Sequence, residues 1–113
     1  EGGGALAGPA GDDDRRGANI DSYVCAGCIT SGSTVRRSIL GPLCKINSYS
    51  LVEDSILFEN VTVGRHVKIR RAIIDKGVVV TDNSTIGYDL EADLQNGYTV
   101  TESGIVVVPR KDK

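Results

Sequence analysis

Residues Val52–Lys68 read VEDSILFENVTVGRHVK, and the chain carries the same pattern on both sides. The stretch before it, from Val35 to Leu51, is VRRSILGPLCKINSYSL; the stretch after it, from Ile69 to Thr85, is IRRAIIDKGVVVTDNST. Identities are few, yet S-I-L, S-I-L and A-I-I fall in one column. The aliphatic residues keep the same time throughout. Ile29, Val35 and Leu40 are followed by Ile46, Val52 and Leu57, then Val63, Ile69 and Ile74, then Val80 and Ile86, in steps of six, five and six. Neither the 3.6-residue period of a helix nor plain alternation along long strands produces this spacing. A fixed internal period implies a solenoid, and steps near six imply a hexapeptide β-helix.

A second column fits the same object. Two residues before each aliphatic stand Gly27, Ser33, Ser38, Cys44, Ser50, Ser55, Val61, Val67, Ala72, Val78 and Ser84, every one of them small. Residues two apart in a strand face the same side, so each short strand turns one small and one aliphatic side chain inward. A triangular coil has room for that pair. The residues that follow the aliphatics, Gly41, Asn47, Gly64, Asp75 and Gly87, suit corners with unusual backbone angles. The fold class is therefore all-β: a parallel β-helix of about four coils with a 17-residue period. Residues 1–17, with EGGGALAGPAG and the charge run DDDRRG, read as a flexible linker or lead-in, and residues 18–113 as the β-helix domain. After Ile86 the rhythm breaks. GYDLEADLQNGYTV reads as a loop or short helical excursion, and SGIVVVP as a closing strand over an open coil end.

The totals agree. The chain has 113 residues, a formal charge of -2, 14 glycines, no Met or Trp, and 4% aromatics. That composition fits thin stacked coils better than a bulky packed core. The near-neutral, interspersed charge argues against a nucleic-acid or membrane-surface binder. No apolar run reaches the length of a membrane span. Three cysteines without a secretory signal imply reduced thiols and a cytoplasmic setting.

The outward positions suggest contacts. Ile39, Ile56 and Ile73 each precede an inward aliphatic, so they point away from the core. With Leu51 and Phe58 they form an apolar stripe, which reads as an interface with another domain or subunit. Arg36, Glu53 and Arg70 stack beside it, as do Arg37, Asp54 and Arg71; alternating sign on neighbouring coils neutralises itself and supports the stack.

Chemistry-bearing residues are sparse. Cys25 and Cys28 have the spacing of half a zinc site or a redox pair, but no second ligand pair completes it. Cys44 reads as inward filler. His66 is the only histidine, too few for the three-His zinc site of β-helix carbonic anhydrases. Its alignment with Tyr49 and Asn83 places it outward. No catalytic residue and no metal ligand set is assigned. Lys76, at a coil corner, and Arg110, after the last strand, are cations at the ends of rigid elements, where anions bind well.

The segments GANIDSYVCAGCITSGSTVRRSIL, INSYSLVEDSILFENVTVGRHVKIRRAIIDKGVVV and SGIVVVPR together resemble the C-terminal β-helix domain of bacterial ADP-glucose pyrophosphorylases, also called glucose-1-phosphate adenylyltransferases. RRAIIDK and the GIVVV tail are the specific part of the likeness. The resemblance covers about Arg15 to Arg110 and implies the left-handed form of the helix. It implies a domain that assembles a tetramer, packs on an N-terminal nucleotidyltransferase domain and carries part of an allosteric site. The ATP and magnesium of ADP-glucose synthesis belong to that absent domain, so no cofactor is expected in this chain. The basic residue of IIDK and the Arg after GIVVV, here Lys76 and Arg110, match the family's site for sugar-phosphate effectors. The stripe of Ile39, Ile56 and Ile73 matches its domain or subunit interface. Two other readings stay open: a free-standing hexapeptide acyltransferase with His66 as base, and a β-helix scaffold without catalysis.

Overall fold

The computed structural model describes residues 18–110. The lead-in of residues 1–17 and the last three residues lie outside the described part.

Three parallel sheets form the faces of a triangular solenoid. The first contains β1 (Ala18–Ile20), β3 (Thr34–Arg36), β6 (Leu51–Glu53), β9 (Lys68–Arg70) and β12 (Thr85–Ile86). The second contains β2 (Tyr23–Val24), β4 (Ile39–Leu40), β7 (Ile56–Leu57), β10 (Ala72–Ile74), β14 (Val106–Val108) and β13 (Thr99–Val100). The third contains β5 (Lys45–Ile46), β8 (Thr62–Val63) and β11 (Val79–Val80). Register is set by the repeat: Val35 pairs with Val52 and Val52 with Ile69, each 17 residues on. Ten of the expected small–aliphatic pairs face inward, from Ser33 with Val35 to Ser84 with Ile86, and their aliphatic members are buried.

The first coil departs from the expectation. Its partners lie 16 residues on, not 17: Asn19 with Val35, Tyr23 with Ile39, Ile29 with Lys45. One residue fewer stands at the corner after Thr30. A one-residue slip turns a strand's side chains to the other face. Ile29 consequently shares the outward column of Lys45 and is 51% exposed, instead of joining Ile46 in the core. Cys28, not Gly27, takes the inward small position and packs against the core.

The corners also differ from the reading. Of the five residues expected there with unusual angles, only Gly87 has positive φ. The left-handed residue is the one before each inward small residue: Gly32, Arg37, Leu43, Tyr49, Asp54, Asn60, His66, Arg71, Gly77 and Asn83. Left-handed backbone costs a residue with a Cβ roughly 1–2 kcal/mol. The compensation is visible, because that geometry turns its N–H toward the preceding coil. Leu43 donates to Ala26 O at 3.1 Å, Tyr49 to Gly32 O at 2.8 Å, and Asp54 to Arg36 O at 3.0 Å. Gly41 and Gly64 serve another purpose. A Cβ on Gly41 would sit 2.9 Å from Glu59 N, and one on Gly64 2.8 Å from Asp82 N, so both allow close approach of the next coil.

The inward serines are more than filler. Ser38 Oγ donates to Arg36 O at 2.8 Å and accepts from Ser55 N at 3.1 Å. Ser55 Oγ donates to Glu53 O at 2.7 Å and accepts from Ala72 N at 3.1 Å. Each hydroxyl thus satisfies a corner carbonyl in its own coil and an N–H in the next. Ser55→Ala would strand the buried Ala72 N–H, at an expected cost of about 1–3 kcal/mol. Urea unfolding followed by tyrosine fluorescence would measure it; an unchanged midpoint would mean that the column contributes nothing.

After Gly87 the chain leaves the stack, forms the short helix α1 (Leu90–Gln95), passes through β13 and returns as β14. Asp89 caps α1, accepting from Ala92 N at 3.2 Å. The return keeps time: Ala72 pairs with Val106 and Ile74 with Val108, 34 residues on, or two periods. The closing strand thereby covers the open edge of β10, and β13 pairs antiparallel on its far side. Asp93 of α1, buried in the turn, accepts the Gly87 N–H at 2.9 Å and ties the excursion to the last coil. Among the described residues no helix is long and apolar enough to cross a membrane.

Candidate functional site

The two-period return also positions the basic residues. Because Ile74 pairs with Val108, Lys76 and Arg110 occupy equivalent places on consecutive rungs. Asp75 joins them. Its N–H donates to Val108 O at 3.0 Å, its Oδ1 accepts from Lys76 N at 2.7 Å, and its Oδ2 from Arg110 N at 3.4 Å. Arg110 Cδ lies 3.9 Å from where a Cβ on Gly77 would stand, so its stem crosses the bare corner. Both residues are exposed. Two cations on neighbouring rungs repel at short range, and an anion placed between them relieves that repulsion. The spacing of 34 was the sequence signal for this meeting, since it is twice the period.

The apolar column is longer than the sequence reading made it. Ile39, Ile56 and Ile73 stand in register, and the shifted first coil adds Tyr23 below them while the return adds Val107 above. Ile39 is 47% exposed and Tyr23 71%. A groove of about 250 Å³ runs beside the column, lined by Ile56, Ala72, Ile73 and Ile105, with Asp54 and Arg71 at its rim. Phe58, two residues beyond Ile56, shares this side and is exposed. Leu51 does not belong to it. It stands on the first sheet between Thr34 and Lys68, half-buried, because its strand precedes the corner that turns the chain toward Ile56.

Charge pairing along the corner beside the groove follows the alternation. Arg37 Nε and Nη2 reach Asp54 Oδ1 and Oδ2 at 2.7 and 3.2 Å, and Arg36 Nε lies 3.6 Å from Glu53. The hydrogen bonds from Arg37 hold the Asp54 carboxyl below the usual carboxylate range. The pair's contribution is therefore present at neutral pH and is lost as pH falls through that lowered value; solvent exposure keeps it small. Arg70 packs 4.2 Å over the Tyr88 ring and donates to Gly87 O at 3.0 Å, so it braces the excursion.

His66 stands at a left-handed corner, its ring stacked on Tyr49 at 4.9 Å between centroids. Asn83 follows one coil later in the same column. Among the described residues no cluster of three or more His, Cys, Asp or Glu is arranged to hold a metal ion.

The family of GlmU-like C-terminal hexapeptide sequences matches residues 9–108. The chain belongs to this family. The hexapeptide domain is thus a left-handed parallel β-helix, the hand implied by the resemblance. Among curated relatives, a glucose-1-phosphate adenylyltransferase of Trichlorobacter lovleyi is 78% identical over 102 residues, 90% of this chain and 25% of the relative. One from Geobacter metallireducens is 77% identical over 97 residues, covering 86% of this chain and 24% of the relative. One from Rhodopirellula baltica is 58% identical over 103 residues, covering 91% and 23%. The hexapeptide domain spans about a quarter of the length of the relatives it matches.

Proposed function

We propose that this hexapeptide domain is the C-terminal assembly and effector-binding domain of a cytoplasmic glucose-1-phosphate adenylyltransferase. The observation that carries the reading is 78% identity to an enzyme of that name across 90% of this chain but only 25% of the relative. The remaining three quarters leaves room for an N-terminal nucleotidyltransferase domain, which would hold ATP and magnesium. The hexapeptide domain contributes no group to the reaction. Its Tyr23–Ile39–Ile56–Ile73–Val107 column packs against that domain or a neighbouring subunit of a homo-oligomer. Lys76 and Arg110 contact the phosphate of a sugar-phosphate effector. Asp75 holds their backbones and leaves the side chains to the ligand.

The test is a chimaera in which this chain replaces the matching segment of the Geobacter metallireducens enzyme. It is expected to form ADP-glucose from ATP and glucose 1-phosphate at close to the parental rate and to remain responsive to sugar phosphates. The isolated chain is expected to form none. A well-folded chimaera without activity would remove the assignment. Activity of the isolated chain with an acyl-CoA, abolished by His66→Ala, would favour the acyltransferase reading.

A further inference from the structure

The shift in the first coil has a chemical effect. With Ile29 beside Lys45 in a parallel bridge, the preceding residues, Cys28 and Cys44, come into register one coil apart. Both thiols turn inward from the same corner. Cys28 Sγ donates to Gly41 O at 3.1 Å and Cys44 Sγ to Phe58 O at 3.0 Å, so each meets the carbonyl on the rung above its own. Neighbouring rungs are about 4.8 Å apart, inside the roughly 4.4–6.8 Å range of Cα separations that a disulfide spans. All three cysteines are reduced; Cys28 is half-buried and Cys44 is closed off from solvent.

We propose that Cys28 and Cys44 are an oxidisable pair whose disulfide would join the first coil to the second. A 17-residue first coil would have put Gly27 opposite Cys44 and left no partner thiol. With oxidised glutathione as oxidant, the Cys28 thiolate attacks one glutathione sulfur, forming a mixed disulfide and releasing one glutathione. The Cys44 thiolate then attacks Cys28 Sγ, forming the internal bond and releasing the second. Two thiol protons leave, and two electrons pass to the glutathione disulfide. Burial pushes the Cys44 thiol up, with the neighbouring Cys28 adding to the effect, so the second step is the slow one. Cys25, after β2, stands on the outer side of the corner and is not required. The bond would fix the coil with the least buried strand, β1, whose residues are all exposed.

The experiment incubates the folded 113-residue chain with oxidised glutathione, blocks remaining thiols, digests with trypsin without reduction and maps the products by mass spectrometry. The expected product joins peptide 17–36 to peptide 38–45, two hydrogens lighter than their sum. It should persist in Cys25→Ser and vanish in Cys28→Ser. The oxidised chain should also unfold at a higher urea midpoint, reversed by dithiothreitol. A Cys25–Cys28 bond within peptide 17–36, glutathione retained on Cys28, or three unreacted thiols would each overturn the proposal.

Discussion

Gly87→Ala is expected to destabilise the domain by about 2–5 kcal/mol, the sum of roughly 1–2 for left-handed backbone and roughly 1–3 for overpacking. Gly87 has φ +88, and a Cβ built there would lie 1.9 Å from the Arg70 carbonyl oxygen and 3.0 Å from its carbon. The obstacle is backbone, held in the first sheet by the register of β9 with β12, so no side chain can swing aside. Movement of Gly87 would also pull its N–H from Asp93 and its carbonyl from Arg70. The excursion would then loosen along with the corner. Gly97→Ala is the control: its φ is +89 but nothing lies within 4 Å of its Cβ position. It should show only the roughly 1–2 kcal/mol conformational part. Urea midpoints of the two variants separate the terms, and equal losses would remove the steric argument.

The second large effect concerns regulation. Lys76→Ala with Arg110→Ala, made in the chimaera, is expected to cut sugar-phosphate activation about 5-fold or more, the lower end of ordinary allosteric coupling. Turnover without activator should change little, because neither residue belongs to the nucleotidyltransferase domain. Single substitutions should each do less than the pair, since one remaining cation still attracts a phosphate. Both side chains are exposed at the rim of the stack, so their removal is not expected to disturb folding. Full activation in the double variant would detach the effector site from this corner while leaving the family assignment intact.

The period, the inward pairs and the outward isoleucines could be read in the residues because each coil repeats the same geometry. What escaped reading depended on events that break the repeat or hide behind it. The missing residue after Thr30 sits where Ser and Gly make an unremarkable turn, so Ile29 and Gly27 were assigned by counting back from Ile46 and Cys44. The left-handed corners are occupied by Leu43, Tyr49 and His66, residues that do not advertise positive φ; the cause is a coil-to-coil hydrogen bond that spacing alone does not reveal. The serines signalled small volume, but their bridging between coils needs coordinates. Leu51 was grouped with the isoleucines by proximity in sequence, although a corner separates their faces. Lys76 and Arg110 were singled out through the family likeness, and their separation of two periods explains why they meet.

The antiparallel pairing of β13 with β14 carries a last consequence. Along the second sheet every earlier strand presents the same parallel edge, a template on which another coil, or another molecule, could add. β13 ends that series by reversing direction. An incoming parallel coil meets donors and acceptors in the wrong order on this face. The same excursion that interrupts the repeat therefore gives the solenoid a definite length, and guards one face of its end against fibre-like growth from copy to copy.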